Sequence, residues 1–220
     1  MSTPANSRTR VTISLTKEVA QMIDETIDGI RIRNRSHAIE TLVSESLHVA
    51  QLRQAVILAG GDQAIKRIPA IQQILRTLAE NGIFEATIAV GYLGDQLKEK
   101  LGTGESLGMR ISYVRSDLGT GGALLQLKNQ LKHTFLVANI DRPVEFDLKN
   151  LIKFHREHAP LVTIATRSLT ELTGIYVMEP KLFAFIPPGF CMLEDTVFHE
   201  MTKQGKLLPY PILKDYSEKH

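Results

Sequence analysis

From Ala55 onward, short apolar runs rich in β-branched residues alternate with stretches of helical periodicity. AVILA (55–59), ATIAV (86–90), RISYV (110–114), TFLVA (134–138) and LVTIA (161–165) are short, mostly apolar runs of strand length. PAIQQILRTLAEN, GDQLKEKL and DLKNLIKFHREH lie between them with apolar residues at helical spacing. Strands that lack an alternating polar face must be covered on both sides, and the intervening helices supply the cover. The pattern predicts βαβ units, a doubly wound, mostly parallel sheet and an α/β fold over residues 55–220. A chain of 220 residues, 43% hydrophobic and 23% charged, is long enough to bury such a core.

The preceding residues follow a different rule. Residues 1–7 are small and polar and read as a disordered arm. In RTRVTISL, Val11, Ile13 and Leu15 alternate with Arg10, Thr12 and Ser14, the period of a strand with one apolar face. Thr16 is placed to cap a helix carrying Val19, Met22, Ile23 and Ile27, which Gly29 would end. Ser36 is the expected cap of a second helix with Ile39, Leu42, Val43, Leu47 and Ala50 on one face, running through VAQLRQ into AVILA without a slack linker. One strand and two short helices bury too little surface to stand alone, so residues 8–53 need a second copy whose strand pairs with theirs. The polar face Arg10-Thr12-Ser14 would then project as a two-stranded ribbon of a size that enters the DNA major groove. Arg35, Ser36 and His37 sit where a helix N-terminus favours phosphate.

The stretch RVTISLTKEVAQMIDETIDGIRIRNRSHAIETLVSESL resembles the ribbon-helix-helix (Arc/MetJ-type) DNA-binding family. That resemblance implies a homodimer, or higher even oligomer, bound to double-stranded DNA.

In doubly wound sheets ligands sit beyond the carboxyl ends of the strands. Here those ends carry Gly60-Gly61, Gly91-Tyr92, the run Leu118-Gly119-Thr120-Gly121-Gly122, and Asn139-Ile140-Asp141. Gly60, Gly61, Gly119, Thr120, Gly121 and Gly122 are the candidate ligand-contacting residues, because a backbone without side chains can approach a ligand closely. Asp141 is the carboxylate that could hold a divalent cation such as Mg²⁺. Asp117 before the glycine loop is a further candidate contact, although turns favour Asp in any case. AVILAGG, IPAIQQILRTLAENGI, ATIAVGYLGDQLKEKLG, LGTGGAL, VANID, TGIYVMEPKLFAFIP and EDTVFHEMTKQGKLLPYPI, in that order, resemble the sugar-1-phosphate nucleotidyltransferases that make NDP-sugars. The resemblance implies a nucleotide or NDP-sugar ligand and a metal-binding role for Asp141.

The departures from that family matter as much. Its first loop continues past the glycines with Gly-Thr-Arg and a longer stretch ending in Lys-Pro, whose cations hold the triphosphate. Here the glycines are followed by Asp62-Gln63-Ala64 in a shorter loop, and Lys66 and Arg67 do not match its register. The sugar-phosphate Lys between IATRS and LTGIYV is missing, and Asp215 and Glu218 do not match the second metal-binding motif. Each such group is worth roughly 3–4 kcal/mol of transition-state stabilisation. No catalytic residue is assigned, and the expected function is a transcriptional regulator whose C-terminal domain has kept binding and lost catalysis. An active transferase with a DNA-binding N-terminus, and an antitoxin-like or assembly protein, are the alternatives.

A net charge of +2 names no partner by itself. The single Cys and the lack of a long apolar run lead us to expect a cytoplasmic protein without a membrane span. Cys191 is expected to be a buried apolar residue, and His155 and His158 to lie on an exposed helix face rather than at a metal.

Overall fold

The computed structural model describes residues 11–30, 32–46, 52–140, 147–167 and 172–212. Strands β1 (Gln54–Ala59), β2 (Glu85–Val90), β3 (Arg110–Arg115), β4 (Phe135–Asn139), β5 (Val162–Thr166), β6 (Leu172–Met178) and β7 (Leu207–Pro211) form one seven-stranded sheet in the order β3-β2-β1-β4-β6-β5-β7. All neighbours pair parallel except β6, which runs antiparallel between β4 and β5. The five apolar runs are all strands. β6 and β7 complete the sheet from the stretches TGIYVM and LLPYP, which interrupt their apolar residues with Gly or Pro.

Period-2 alternation divides each buried strand between two cores. On β1, Ala55, Ile57 and Ala59 face one layer with Ile71 and Leu75 of α3 (Ile68–Glu80), Leu97 of α4 (Gly94–Leu101) and Leu148 and Leu151 of α6 (Leu148–His158). Val56 and Leu58 face the other layer, with Leu124 of α5 (Gly119–Gln126) and Phe198 and Met201 of α7 (Phe198–Lys203). Burial on both faces is what an all-apolar strand requires. Asp147 caps α6 by accepting from the Asn150 amide at 3.1 Å. Helix α5 starts at Gly119, earlier than GALLQLKNQL suggests, and ends at Gln126, after which the chain turns.

The N-terminal residues form a small unit of α1 (Lys17–Glu25) and α2 (Arg35–Ser46). Thr16 caps α1 as expected, its hydroxyl accepting from the Val19 amide at 3.3 Å. The helix stops at Thr26, short of Gly29, because the Asp28 carboxylate captures the amides of Ile30 and Ile32, both at 2.9 Å. Gly29 still takes a positive φ of 75°. Ser36 is not the cap of α2. Asn34 is, accepting from the His37 amide at 3.0 Å, and Ser36 lies in the first turn.

Residues 11–16 carry no strand, and Val11, Ile13 and Leu15 are exposed. A strand needs a hydrogen-bonding neighbour, and a single copy supplies none here. On α2, Ala38 and Thr41 are buried, whereas Leu42 and Val43 of the expected face are exposed. Among the described residues of this unit, Ile23, Ile32 and Ala38 make the buried cluster. The unit rests on the amino-terminal edge of the sheet. The Arg33 guanidinium lies 4.3 Å over the Phe84 ring, His37 meets that ring edge-on, and Arg110 reaches Asp28 at 3.8 Å. The junction at residues 47–51, and the arm at 1–7, lie outside the described residues. Among the described residues, no helix is long and apolar enough to cross a membrane.

Candidate nucleotide site

At the carboxyl edge of the sheet, the turns after β1, β2, β3 and β4 surround a cleft of about 420 Å³. Gly60 and Gly61 follow β1, Gly91 and Tyr92 follow β2, Ser116 and Asp117 follow β3, and Asn139 ends β4. Strand order reverses here, since β1 passes to β2 on one side and to β4 on the other, which is where doubly wound sheets open a crevice. A Cβ placed on Gly91 would lie 3.6 Å from the Gly61 amide nitrogen and 3.9 Å from Asp117 Oδ1, so three strand ends meet at this position. A Cβ on Gly60 or Gly61 would meet nothing within 4 Å. These two glycines therefore leave open space toward the cleft instead of making room for the protein's own chain.

The second glycine run behaves differently. Gly119 has φ 75°, and a Cβ on it would lie 2.6 Å from the Cys191 carbonyl oxygen; on Gly121 it would lie 2.7 Å from Cys191 Sγ. The Gly121 amide donates to the Cys191 carbonyl at 2.8 Å, and the Gly122 amide approaches it at 3.4 Å. Gly119 and Thr120 line the cleft, but the Gly121 and Gly122 amides, expected to meet a ligand, are turned to Cys191. Thr120 is bound on two sides: its hydroxyl accepts from the Leu193 amide at 2.9 Å and donates to Glu194 at 3.2 Å. The buried Tyr176 hydroxyl donates to the other Glu194 oxygen at 2.8 Å. Close approach of glycine backbone is thus used to seat the segment after Gly189 against α5, which brings Met192 into the cleft wall. Cys191 is buried as expected, and burial pushes its thiol pKa up.

At the cleft mouth, the Tyr92 hydroxyl donates to Asp62 Oδ1 at 3.0 Å, and this bond raises the phenol pKa. The shortened loop continues through a buried Ala64 into a single 3₁₀ turn, Ile65–Arg67. Among the described residues lining the cleft, Asp117 is the charged one, and Lys66 and Arg67 are not in its wall. Asp141 lies outside the described residues, and among those described no three His, Cys, Asp or Glu side chains are placed to hold a metal ion. Ser116, Ala123, Met192 and the Asp62–Tyr92 bond were not singled out in the sequence. Only their position after strands or glycines hinted at them.

The match to the nucleotidyl transferase family model spans residues 62–180, just over half of the chain. The chain belongs to the nucleotidyl transferase family. Among its relatives, a UTP–glucose-1-phosphate uridylyltransferase from Synechocystis is 23% identical over 169 residues, covering 55% of this chain and 44% of that protein. The bifunctional protein GlmU of Acetivibrio thermocellus is 30% identical over 137 residues, covering 54% of this chain and 29% of its own length. The chain therefore spans less than half the length of these curated relatives. HddC from Yersinia pseudotuberculosis shares the fold, with a TM-score of 0.62 at 17% identity over 73% of this chain and 90% of HddC. The nucleotidyl transferase match begins at Asp62, so it includes the turns after β2, β3 and β4 and leaves the N-terminal unit outside.

The DNA-facing residues are scattered differently from the expectation. Arg10 lies outside the described residues, while Thr12 and Ser14 are exposed. Arg35, expected to meet phosphate, is held by Asp24: its Nε donates to Asp24 Oδ1 at 2.8 Å, which lowers the Asp24 pKa and raises that of Arg35. His37 accepts from the Arg33 amide at 3.4 Å and packs on Phe84, so it serves the contact with the sheet. His155, expected on an exposed face, is 3% exposed because Thr163 and Glu179 bind both ring nitrogens.

Proposed function

We propose that this chain binds a nucleotide or sugar nucleotide in the cleft at the carboxyl edge of the sheet. The observation that carries the reading is the convergence of Gly60, Gly61, Gly91 and Asn139 on one open space of about 420 Å³, within the usual range of small-molecule sites. Bare backbone on two sides suits the flat face of a base, and Asp117 and Asn139 offer polar contacts. The name of the uridylyltransferase relative supports transfer of a nucleotidyl group to a sugar 1-phosphate. In that reaction a phosphate oxygen of the sugar phosphate bonds to the α-phosphorus of a nucleoside triphosphate as its bond to pyrophosphate breaks. The lack of a Lys or Arg among the described residues lining the cleft supports binding with little turnover, because phosphoryl transfer needs fixed positive groups where negative charge builds up. Pyrophosphate release from nucleoside triphosphates with a panel of sugar 1-phosphates and Mg²⁺ separates the two uses. Release identifies a transferase, and saturable binding without release identifies a sensor.

A specific observation favours a second activity for the N-terminal unit. Val11, Ile13, Leu15, Val19, Met22, Leu42 and Val43 all leave large apolar surface exposed. We propose that a second copy covers this face by pairing the two 8–15 segments, and that Arg10, Thr12 and Ser14 of the paired segments then contact DNA. Gel shifts on selected DNA test it: binding should weaken in Arg10→Ala, while a protein that binds no DNA under any condition contradicts it.

A further inference from the structure

A second cavity, of about 680 Å³, opens at the opposite edge of the sheet from the cleft. Val162 at the start of β5 pairs with Met178 at the end of β6 and with Leu207 at the start of β7, and the cavity lies around these three strand ends. Strand β4 runs from this edge, at Phe135, to Asn139 in the cleft, a separation on the order of 15 Å. The two spaces are thus separate sites.

Three cations from three elements border this cavity: Arg156 from the last turn of α6, Lys181 after β6 and Lys206 before β7. Among the described residues, no carboxylate lies within ion-pair distance of any of them. A cation in the last turn of a helix is explained by the helix dipole. That accounts for Arg156, while Lys206 donates to Gln204 Oε1 at 2.5 Å and Lys181 adds positive charge near Glu179 without contacting it. Lys206 lies 4.6 Å over the Phe185 ring, which shows a flat apolar surface turned to the same space. Glu179, the acid among the described residues of the wall, is already engaged, accepting from Thr134 at 2.6 Å and contacting the buried His155 at 3.2 Å. His155 is fixed from behind by Thr163 at 2.8 Å. The floor is therefore a closed polar network, and among the described residues no carboxylate contacts the three positive charges above it.

We propose that this cavity is a second ligand site for a small phosphorylated molecule with a flat or apolar body. Arg156, Lys181 and Lys206 hold the phosphate, Arg156 through a two-pronged contact, and the body lies against Phe185 and Leu161. The volume matches a ligand of sugar-phosphate to nucleoside-monophosphate size.

Amide NMR of the full chain, titrated with ribose 5-phosphate and adenosine monophosphate, tests the site, with ribose and adenosine as phosphate-free controls. The phosphorylated probes should shift the amides of Ala159, Leu161 and Lys181, and the controls should not. The double variant Arg156→Ala with Lys181→Ala should lose about tenfold or more in affinity for the probes at these amides. Both side chains are exposed, and an unchanged urea-unfolding curve confirms that each variant is folded. Shifts confined to Gly60, Gly61 and Gly91 overturn this site while leaving the cleft reading intact. Equal shifts from ribose and ribose 5-phosphate, or undiminished affinity in the double variant, also overturn it.

Discussion

The glycines show how one residue type serves two purposes within one site. Gly119 combines a positive φ with a Cβ position 2.6 Å from the Cys191 carbonyl, so Gly119→Ala should destabilise the fold by about 2 kcal/mol or more, read by urea denaturation. Gly60 has open space where its Cβ would stand. Gly60→Val should leave stability nearly unchanged and weaken nucleotide binding, because the new side chain enters the cleft. Equal destabilisation by both substitutions would contradict this division. The sequence marked both pairs of glycines as special but could not tell what approached them, because the close neighbour of Gly119 and Gly121 is Cys191, about seventy positions away. Thr120 was legible as part of the loop for the same reason, and its bonds to Leu193 and Glu194 were not. Thr120→Val should cost about 1–3 kcal/mol by leaving the Leu193 amide and a Glu194 oxygen without this partner, with the unfolding midpoint as the readout.

At the scale of elements, strands were read most surely because a short, mostly apolar run rich in β-branched residues has few other uses. The five runs became β1 to β5 within one or two residues. Elements defined by long-range partners were harder to see. The 11–16 segment has strand periodicity but no neighbour to bond, and α2 takes its cap from Asn34 because the side chain two residues before Ser36 reaches the amide first. His155 has helical spacing to His158, which suggested a shared exposed face, yet Thr163 on β5 and Glu179 after β6 draw it inward. That network has a pH signature. His155 bonding, with help from Thr134 and Lys181, holds the Glu179 carboxyl below its ordinary pKa. A folded-state pKa below the unfolded one gives stability that is fully present above the unfolded value and is lost as pH falls through the folded value. Stability should therefore decline through the acid range, and Glu179→Gln should flatten that part of the profile. An identical acid slope in wild type and variant would count against the network.

For the whole molecule, the alternation of strands and helices made the α/β fold legible, and the antiparallel β6 in its middle was not, since parallel and antiparallel neighbours read alike in an apolar run. The chain places an open cleft at one edge of its sheet and a small helical unit against the other, with Phe84 between Arg33, His37 and the start of β2. The apolar residues exposed on that unit should produce a concentration-dependent dimer by light scattering. Ile13→Glu should shift it to monomer while the sheet domain keeps its unfolding transition. The cleft is the feature on which the functional reading rests, and an amide-resolved titration of the full chain with nucleoside triphosphates and NDP-sugars tests it most directly. Saturable shifts at Gly60, Gly61, Gly91 and Asp117 with at least one of these ligands are the expected result. The absence of any shift at these amides, with every nucleotide and sugar nucleotide at millimolar concentration, would contradict it.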